Sequence, residues 1–487
     1  MQTSRDYQIA ACDAILKLWG VAPWSGVNLW RRHSKLASAL GRAPWHASDS
    51  THKSLIAAIG TAGGKTVVAA NLINTLAGMG YRILVCADTD ELVAQPLHKI
   101  FDITGVHPEL EKADSRAIGL TPVCVASVQT LADPKRLDEF AQRWGMPDFI
   151  IHDEAHTAPV RAARINARFP NARILGLTAT PFRANVSTLD RWYEIEAFRI
   201  EVPDLIDQGW ITPIAVQGID LSIDLDQLLA AEPSPNAAQA DFSPSHVARR
   251  IEPVYRDVAR ILRDQFADRA VLVFHPLIKS SKLFTEICNQ EGVAAAHCDG
   301  DSKDRSQVIS KFESGEIRVV SNSGVFTQGV DFIRANCLLN LALTKSAGKF
   351  RQRAGRVMRV LPGVIDQLQT AAERRAAISA SAKPDALILD LLGQSEKLGL
   401  AGAASIIAHD SAERQAIARS ISRDPQRLDE IQAAVVRARE EAILKELSKN
   451  ACHPHIPPSG IMDFPRGRFQ PESKEGRLDA LFASLME

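Results

Sequence analysis

Short, unbroken apolar runs alternate with longer amphipathic or polar stretches through most of this chain. In the first half the runs fall at 55–59, 83–87, 123–126, 149–151 and 174–177. In the second they fall at 271–274, 293–296, 317–320, 337–342 and 386–389. Apart from Arg318 and Asn340, they are apolar at successive positions rather than alternate ones, so both faces of the strand must be covered. That is the condition of a parallel sheet flanked by helices. The pattern predicts an α/β chain with two such series, 1–207 and 208–397. A segment at 222–245, rich in Asp, Ala, Pro and Ser, reads as a mobile loop or linker. Near the start, Ile9, Ala10, Ile15, Leu16 and Leu18 mark a helix. Beyond 398, Leu428, Ile431, Val435, Ala438 and Ala442 keep a helical stripe, which predicts a helical extension docked on the body or on a partner. The stretch from 451 is polar, carries Pro and Gly, and reads as a poorly ordered tail.

In parallel sheets ligands bind at the carboxyl ends of the strands, so the residues just after each run carry the candidate chemistry. After 55–59 comes Gly60-Thr61-Ala62-Gly63-Gly64-Lys65-Thr66. A glycine-rich turn between strand and helix aims backbone N–H groups at a phosphate chain. Lys65 can reach the outer phosphates and the Thr66 hydroxyl a Mg²⁺ ion. The spelling is irregular, because Ile59 stands where the usual pattern has its first glycine. After 149–151 comes His152-Asp153-Glu154-Ala155-His156. Asp153 suits Mg²⁺ coordination and Glu154 suits activation of an attacking water. After 174–177, Thr178 and Thr180 carry hydroxyls able to sense the acidic loop. In the second series Gln352, Arg356 and Arg359, placed on a helix, share one face and suit a polyphosphate offered by another surface. A solvated basic helix is the plain alternative.

Two further segments are open to two readings each. Gln8, with Arg5 or Tyr7 stacked beside it, has an amide suited to one edge of adenine; the plain reading is an ordinary helix start. Residues 21–50 interleave Trp24, Trp30 and Trp45 with Arg31, Arg32, His33, Lys35 and Arg42. That composition fits base stacking, but a small satellite core fits it better.

Composition narrows the classes. The chain has 487 residues, 46% hydrophobic and 23% charged, with 57 basic and 57 acidic side chains. A formal charge of zero removes any global electrostatic case for a polyanion, so nucleic acid would need a local groove. The seven cysteines are scattered, several in apolar runs, and read as buried free thiols of a reducing compartment. Cys452-His453-Pro454-His455 has no second ligand cluster. With neither a signal peptide nor a membrane span in the sequence, a cytoplasmic protein is expected.

Taken together and in order, these motifs resemble those of superfamily 2 helicases and translocases. Arg5–Gln8 resembles the adenine-reading motif, Gly60–Thr66 motif I, Asp88–Gln95 motif Ia and Ala126–Leu131 motif Ib. Asp153–His156 is similar to motif II in its DEAH spelling, Leu177–Pro181 to motif III and Phe274–Pro276 to motif IV. Thr327–Asp331 resembles motif V and Gln352–Arg359 motif VI. The resemblance implies two tandem RecA-like domains with ATP and Mg²⁺ between them. Lys65, Thr66, Asp153 and Glu154 then come from the first domain, with Gln352 and the arginine fingers Arg356 and Arg359 from the second. It further implies nucleotide contacts from Arg5, Gln8, Gly60, Thr61, Ala62, Gly63, Gly64, Gly329 and Asp331. Coupling falls to His156, Thr178 and Thr180, and nucleic-acid contacts to Gln129, Thr130 and Thr327. Ala62 replaces a common glycine, and Gly63 is expected to supply the lost backbone freedom. Gln328 stands where an acid is frequent. The spelling favours DNA-directed repair helicases and restriction motors over RNA helicases. The expected activity is ATP-driven movement along a strand, with unwinding or remodelling. The alternatives are a duplex translocase or remodelling factor without unwinding, such as the motor subunit of a nuclease, or an RNA helicase. A protein partner on the C-terminal helices is expected, and no membrane partner.

Overall fold

The computed structural model describes residues 5–21, 52–87, 97, 100–156, 158–179, 192–221, 241–299, 302, 304–323, 332–391, 400–408 and 411–451, the last nine without side-chain detail. Within these lie two parallel sheets. The first contains β1 (Ser54–Ile59), β2 (Ile83–Ala87), β3 (Glu109–Glu111), β4 (Val123–Ser127), β5 (Phe149–His152), β6 (Arg173–Thr178) and β7 (Ile195–Ile200). Their order is β3-β4-β2-β5-β6-β1-β7, parallel throughout. The second contains β8 (Ile214–Ile219), β9 (Val271–His275), β10 (Ala295–His297), β11 (Val319–Ser323), β12 (Cys337–Asn340), β13 (Ala386–Leu391) and β14 (Gln426–Arg427). Their order is β10-β11-β9-β12-β13-β8-β14, parallel except for the last strand.

The apolar runs become strands because helices cover both faces. Every residue of β1, β2, β4 and β5 is buried. The helix Lys65–Gly78 packs on one face through Val68, Leu72, Ile73 and Leu76. The helix Pro134–Arg143 covers the other through Leu137 and Phe140. One apolar cluster runs on from the first sheet through Leu205, Trp210 and Ile214 to Leu272, Phe274 and Leu338 of the second.

Several expectations shift. The strands expected at 293–296 and 317–320 begin two residues later, because Val293 and Ile317 are spent in the turns ahead of β10 and β11. β3, β7, β8 and β14 are not among the strands expected from the apolar runs, although β8 opens with the apolar run Ile214-Ala215-Val216. β7 is partly exposed and mixes Glu196 and Arg199 into its run, and β14 is only a two-residue edge. In the first helix, Asp6–Leu18, Ile9 and Ala10 face water, while Tyr7, Gln8, Ala11, Cys12, Ile15 and Leu16 are buried. The segment 222–245 contains the start of a helix at Pro244; its residues 222–240 lie outside the described part, as do most of the Trp-rich insertion and everything from 452. The six described cysteines are buried and free. No described helix is long and apolar enough to cross a membrane. In the helix Leu428–Ala451, Leu428 and Ile431 are buried and Val435 is half-buried, but Ala438 and Ala442 are exposed. The burial along this stripe is at Leu428, Ile431 and Val435. Residues 401–431 are not an appendage: Ala401, Ala404, Ile407, Ile417 and Leu428 join the main core, and β14 pairs with β8.

The two halves touch at a glycine. A Cβ at Gly355 would come within 2.5 Å of Thr61 Cγ2. Gly355→Ala is expected to lower stability by about 1–3 kcal/mol in chemical denaturation. Adding Thr61→Ser, which removes the opposing methyl, should recover most of that loss.

Candidate functional site

β1 ends at Ile59, and the chain turns sharply into the helix Lys65–Gly78. Gly60 N donates to Ile200 O at 2.8 Å, and a Cβ there would lie 2.9 Å from Val202 N, so only glycine lets the turn pass the helix Val202–Asp207. Gly63 is required for space: its Cβ would meet Gly60 O and Ile59 Cγ2, each at 2.8 Å. Freedom of φ is used elsewhere. Ala62 itself sits at φ +64° and Gly64 at φ +77°. The expectation that Gly63 supplies the left-handed conformation is thus corrected; Ala62 adopts it, at a strain of about 1 kcal/mol. The helix then starts at Lys65 with its first N–H groups facing the loop. Thr61 Oγ1 is buried and has no hydrogen-bond partner among the described residues.

β5 delivers the acidic pair beside this loop. Lys65 Nζ lies 3.1 Å from Glu154 Oε1, and both side chains are largely shut from water. Asp153 Oδ1 accepts from Glu154 N at 3.0 Å. Glu154 occupies φ +48°, a strained conformation for a non-glycine residue. Burial pushes the Glu154 carboxyl upward, but Lys65 and His156 together outweigh it and hold the group below the usual range. Asp153 moves the other way, pushed up to about 6 by burial and by the neighbouring carboxylate, with Lys65 opposing. Two carboxylates held side by side, one reluctant to ionise, have the hard oxygen chemistry that a divalent cation takes. Among the described residues no group of three or more His, Cys, Asp or Glu side chains has a metal-holding arrangement.

His156 links this pair to its surroundings. Its Nδ1 is 3.0 Å from Thr178 Oγ1 and 3.6 Å from Glu154 Oε2. Its Nε2 faces the second half, 3.5 Å from where a Cβ of Gly348 would stand. Gly348 belongs to the helix Ala347–Ala354, whose N-cap Ser346 accepts from Lys349 N at 3.3 Å.

That helix ends earlier than the sequence suggests. Gln352 is on it, but Arg356 lies in the turn beyond and Arg359 past that turn. The single helical face expected for the three is corrected. The turn buries Val357 and Met358 completely, and Met358 O accepts from Thr212 N, which holds the segment in a non-helical path. Burial, and secondarily the charge of Arg5, push the Arg359 guanidinium downward. Arg351 and Arg353 are buried beneath: Arg351 Nε donates to Ser405 O at 2.6 Å, and Arg353 Nη1 to Asn340 Oδ1 at 2.8 Å and Ala342 O at 2.7 Å.

Gln8 is buried against the loop, its Oε1 accepting from Arg5 N at 3.0 Å and its Nε2 lying 3.3 Å from Gly63 O. Tyr7 is not open for stacking on a base: it is buried, and its hydroxyl donates to Gly63 O at 2.5 Å. Thr66 follows Lys65 on the first helical turn. Gln129 is exposed and Thr130 half-buried on the short helix Val128–Leu131, where Thr130 Oγ1 accepts from Ala113 N at 3.4 Å. Thr180, Thr327, Gly329 and Asp331 lie outside the described residues, as does the motif at 88–95. Sequence reasoning missed Trp210, which packs beside Tyr7, and Arg374, which stands over the Trp210 ring. A lone Trp in a Gln-Gly-Trp turn and an Arg in a polar helix carry no signal at that level.

Residues 2–183 match the family described as the res subunit of type III restriction enzymes, and residues 254–361 the helicase conserved C-terminal domain. Over 324 residues the chain is 26% identical to IRC3 of Saccharomyces cerevisiae, whose name describes an ATP-dependent helicase; the match covers 62% of this chain and 46% of that one. It is 24% identical over 254 residues to the DNA 3'-5' helicase XPB of Mycobacterium tuberculosis, covering 51% and 44%. The chain thus spans about half the length of these relatives. A fragment of an HsdR subunit of a type I restriction enzyme from Vibrio vulnificus YJ016 shares the fold, with TM-score 0.51 and 18% identity over 82% of this chain and 65% of that one.

The Lys65–Glu154 pair yields a double-mutant cycle in the nucleotide-free protein. Lys65→Met strands a buried carboxylate and is expected to cost about 2–4 kcal/mol at pH 8. Lys65→Met combined with Glu154→Gln should cost far less than the sum. Because the folded state holds Glu154 below its unfolded range, the pair's stabilisation is full above that range and lost as pH falls through the folded value. The cost of Lys65→Met should therefore shrink towards pH 4, as read by thermal melts across pH.

Proposed function

Because the chain belongs to superfamily 2 of the helicases and translocases, in the branch of restriction motors and repair helicases, we propose that it is an ATP-driven motor acting on DNA. The observation that carries this reading is the seating of Gly355 of the Gln352–Arg359 segment on Thr61 of the phosphate loop. It puts the arginine segment of one half against the phosphate loop of the other, where a nucleotide would be shared. The relative named as a DNA helicase, and the restriction-enzyme family matched by the first half, favour DNA over RNA.

On this reading residues 1–207 and 208–397 form the two motor domains. Gly60–Gly64 and Lys65 hold the phosphates, and Thr66 and Asp153 hold Mg²⁺, which would neutralise charge on the phosphate oxygens. Lys65 leaves Glu154 for the phosphates, which frees that carboxylate to orient and deprotonate the attacking water. His156 keeps Glu154 in register with Thr178 and reports its state to Gly348 of the second domain. Gln352, Arg356 and Arg359 complete the site only when the domains meet, so hydrolysis and domain movement are tied. Arg5 and Gln8 serve the adenine side, Gly329 and Asp331 the nucleotide from the second domain, and Thr180 the coupling loop. Gln129, Thr130 and Thr327 grip the strand. Backbone grip by such neutral groups suits a chain without net positive charge.

The discriminating experiment compares ATP turnover on single-stranded DNA, duplex DNA, forked DNA and RNA. Stimulation by DNA above RNA is expected; stimulation by RNA alone would overturn the polymer assignment. Lys65→Ala and Glu154→Gln should each cut stimulated turnover at least about a hundredfold. Arg359→Ala should cut it comparably while leaving most nucleotide binding.

A further inference from the structure

Behind the phosphate loop, Tyr7 of the Arg5–Gln8 motif and two side chains outside the motor motifs, Trp210 and Arg374, form a continuous path to the second domain. Tyr7 Oη donates to the Gly63 carbonyl at 2.5 Å. Its ring lies 5.7 Å from that of Trp210. Trp210 sits in the connector between the two sheets, and the Arg374 guanidinium stands 3.7 Å from its ring centroid. Arg374 belongs to the helix Ala371–Ser379 of the second domain and is almost fully buried. Its Nε donates to Gln208 O at 2.8 Å, and its Nη1 to Leu368 O at 3.2 Å and Gln369 O at 3.1 Å. Gly209, at φ +69°, fits only because it lacks a side chain: its Cβ would lie 2.7 Å from Arg374 Cβ. Trp210 Nε1 donates to Gln208 Oε1 at 3.0 Å, which fixes the indole over this contact.

The end of the path that matters is a peptide plane. In a trans peptide the C=O of one residue and the N–H of the next point in opposite directions. A hydroxyl holding the Gly63 carbonyl outward therefore turns the Gly64 N–H the other way, into the phosphate cradle. Gln8 shares the same carbonyl more weakly, at 3.3 Å.

We propose that Tyr7, Trp210 and Arg374 are positioning residues that tie the orientation of the Gly63–Gly64 peptide to the placement of the second domain. Movement of the helix Ala371–Ser379 then reaches the phosphate loop from behind, by a route separate from the arginine fingers. The inference rests on the motor reading above, and the test separates the two.

Tyr7→Phe keeps the ring and its contact with Trp210 and removes only the hydroxyl. In DNA-saturated assays it should raise the KM for ATP about three- to tenfold while kcat changes less. Trp210→Ala should lower the ratio of DNA-stimulated to basal turnover about fivefold or more, and Trp210→Phe should restore most of it. If Trp210→Ala fails to fold, Tyr7→Phe decides alone. Unchanged KM in Tyr7→Phe, or a Trp210→Ala protein that loses melting temperature, KM and kcat with its stimulation ratio intact, would overturn the coupling. Wild-type protein with no nucleotide turnover would instead overturn the motor reading, and this inference with it.

Discussion

Lys65 and Glu154 meet 3.1 Å apart in a setting largely closed to water, and both need a partner at all times. A buried ammonium or carboxylate left alone costs several kcal/mol, so each dictates what surrounds it. The turn of Gly60–Gly64 brings Lys65 to the carboxyl edge of the sheet. The strained φ of Glu154 aims its carboxylate back across that edge. His156 takes the other carboxylate oxygen and, through its second nitrogen, faces Gly348. If a phosphate takes the place of one partner, as the proposed function requires, every later contact in that chain is disturbed. This is how a site with few moving parts can be felt in the other half of the molecule.

Most of the architecture was legible because parallel sheets bury both faces of their strands. Runs such as Ile83–Ala87 or Val271–Phe274 have no other stable home in water, so their type and place could be read from composition alone. Where the sheet meets solvent the signal fades: β7 interleaves Glu196 and Arg199 with its apolar positions, and β14 is too short to register. The chemistry-bearing residues were legible for a similar reason. A Gly-Lys-Thr turn and an Asp-Glu pair at strand ends are costly to keep unless used. Backbone geometry was not legible. Nothing in the letters says that Ala62 rather than Gly63 turns left-handed, or that Arg356 falls beyond the end of its helix, because tertiary contacts at Thr61, Thr212 and Met358 decide both.

Charge is distributed with the same economy. The chain is formally neutral, yet it buries Arg351, Arg353, Arg374 and Lys383. Their hydrogen bonds described here go to carbonyl oxygens rather than to carboxylates. A guanidinium satisfied by carbonyls keeps its positive charge for longer-range use, whereas one paired with a carboxylate is spent.

The antiparallel pairing of β14 with β8 has a consequence for how the chain can be cut. β8 is followed in sheet order only by that two-residue strand, and Ala404, Ile407, Ile417 and Leu428 lie in the same core. A chain ending near the last motif, at about residue 397, would leave the β8 edge unpaired and an apolar surface wet. Such an edge is a template for pairing with other chains, so the truncated product would self-associate rather than persist as a minimal motor. The smallest unit that keeps its own sheet closed therefore extends to Leu428 and Ile431, well past the last residue that any motif names.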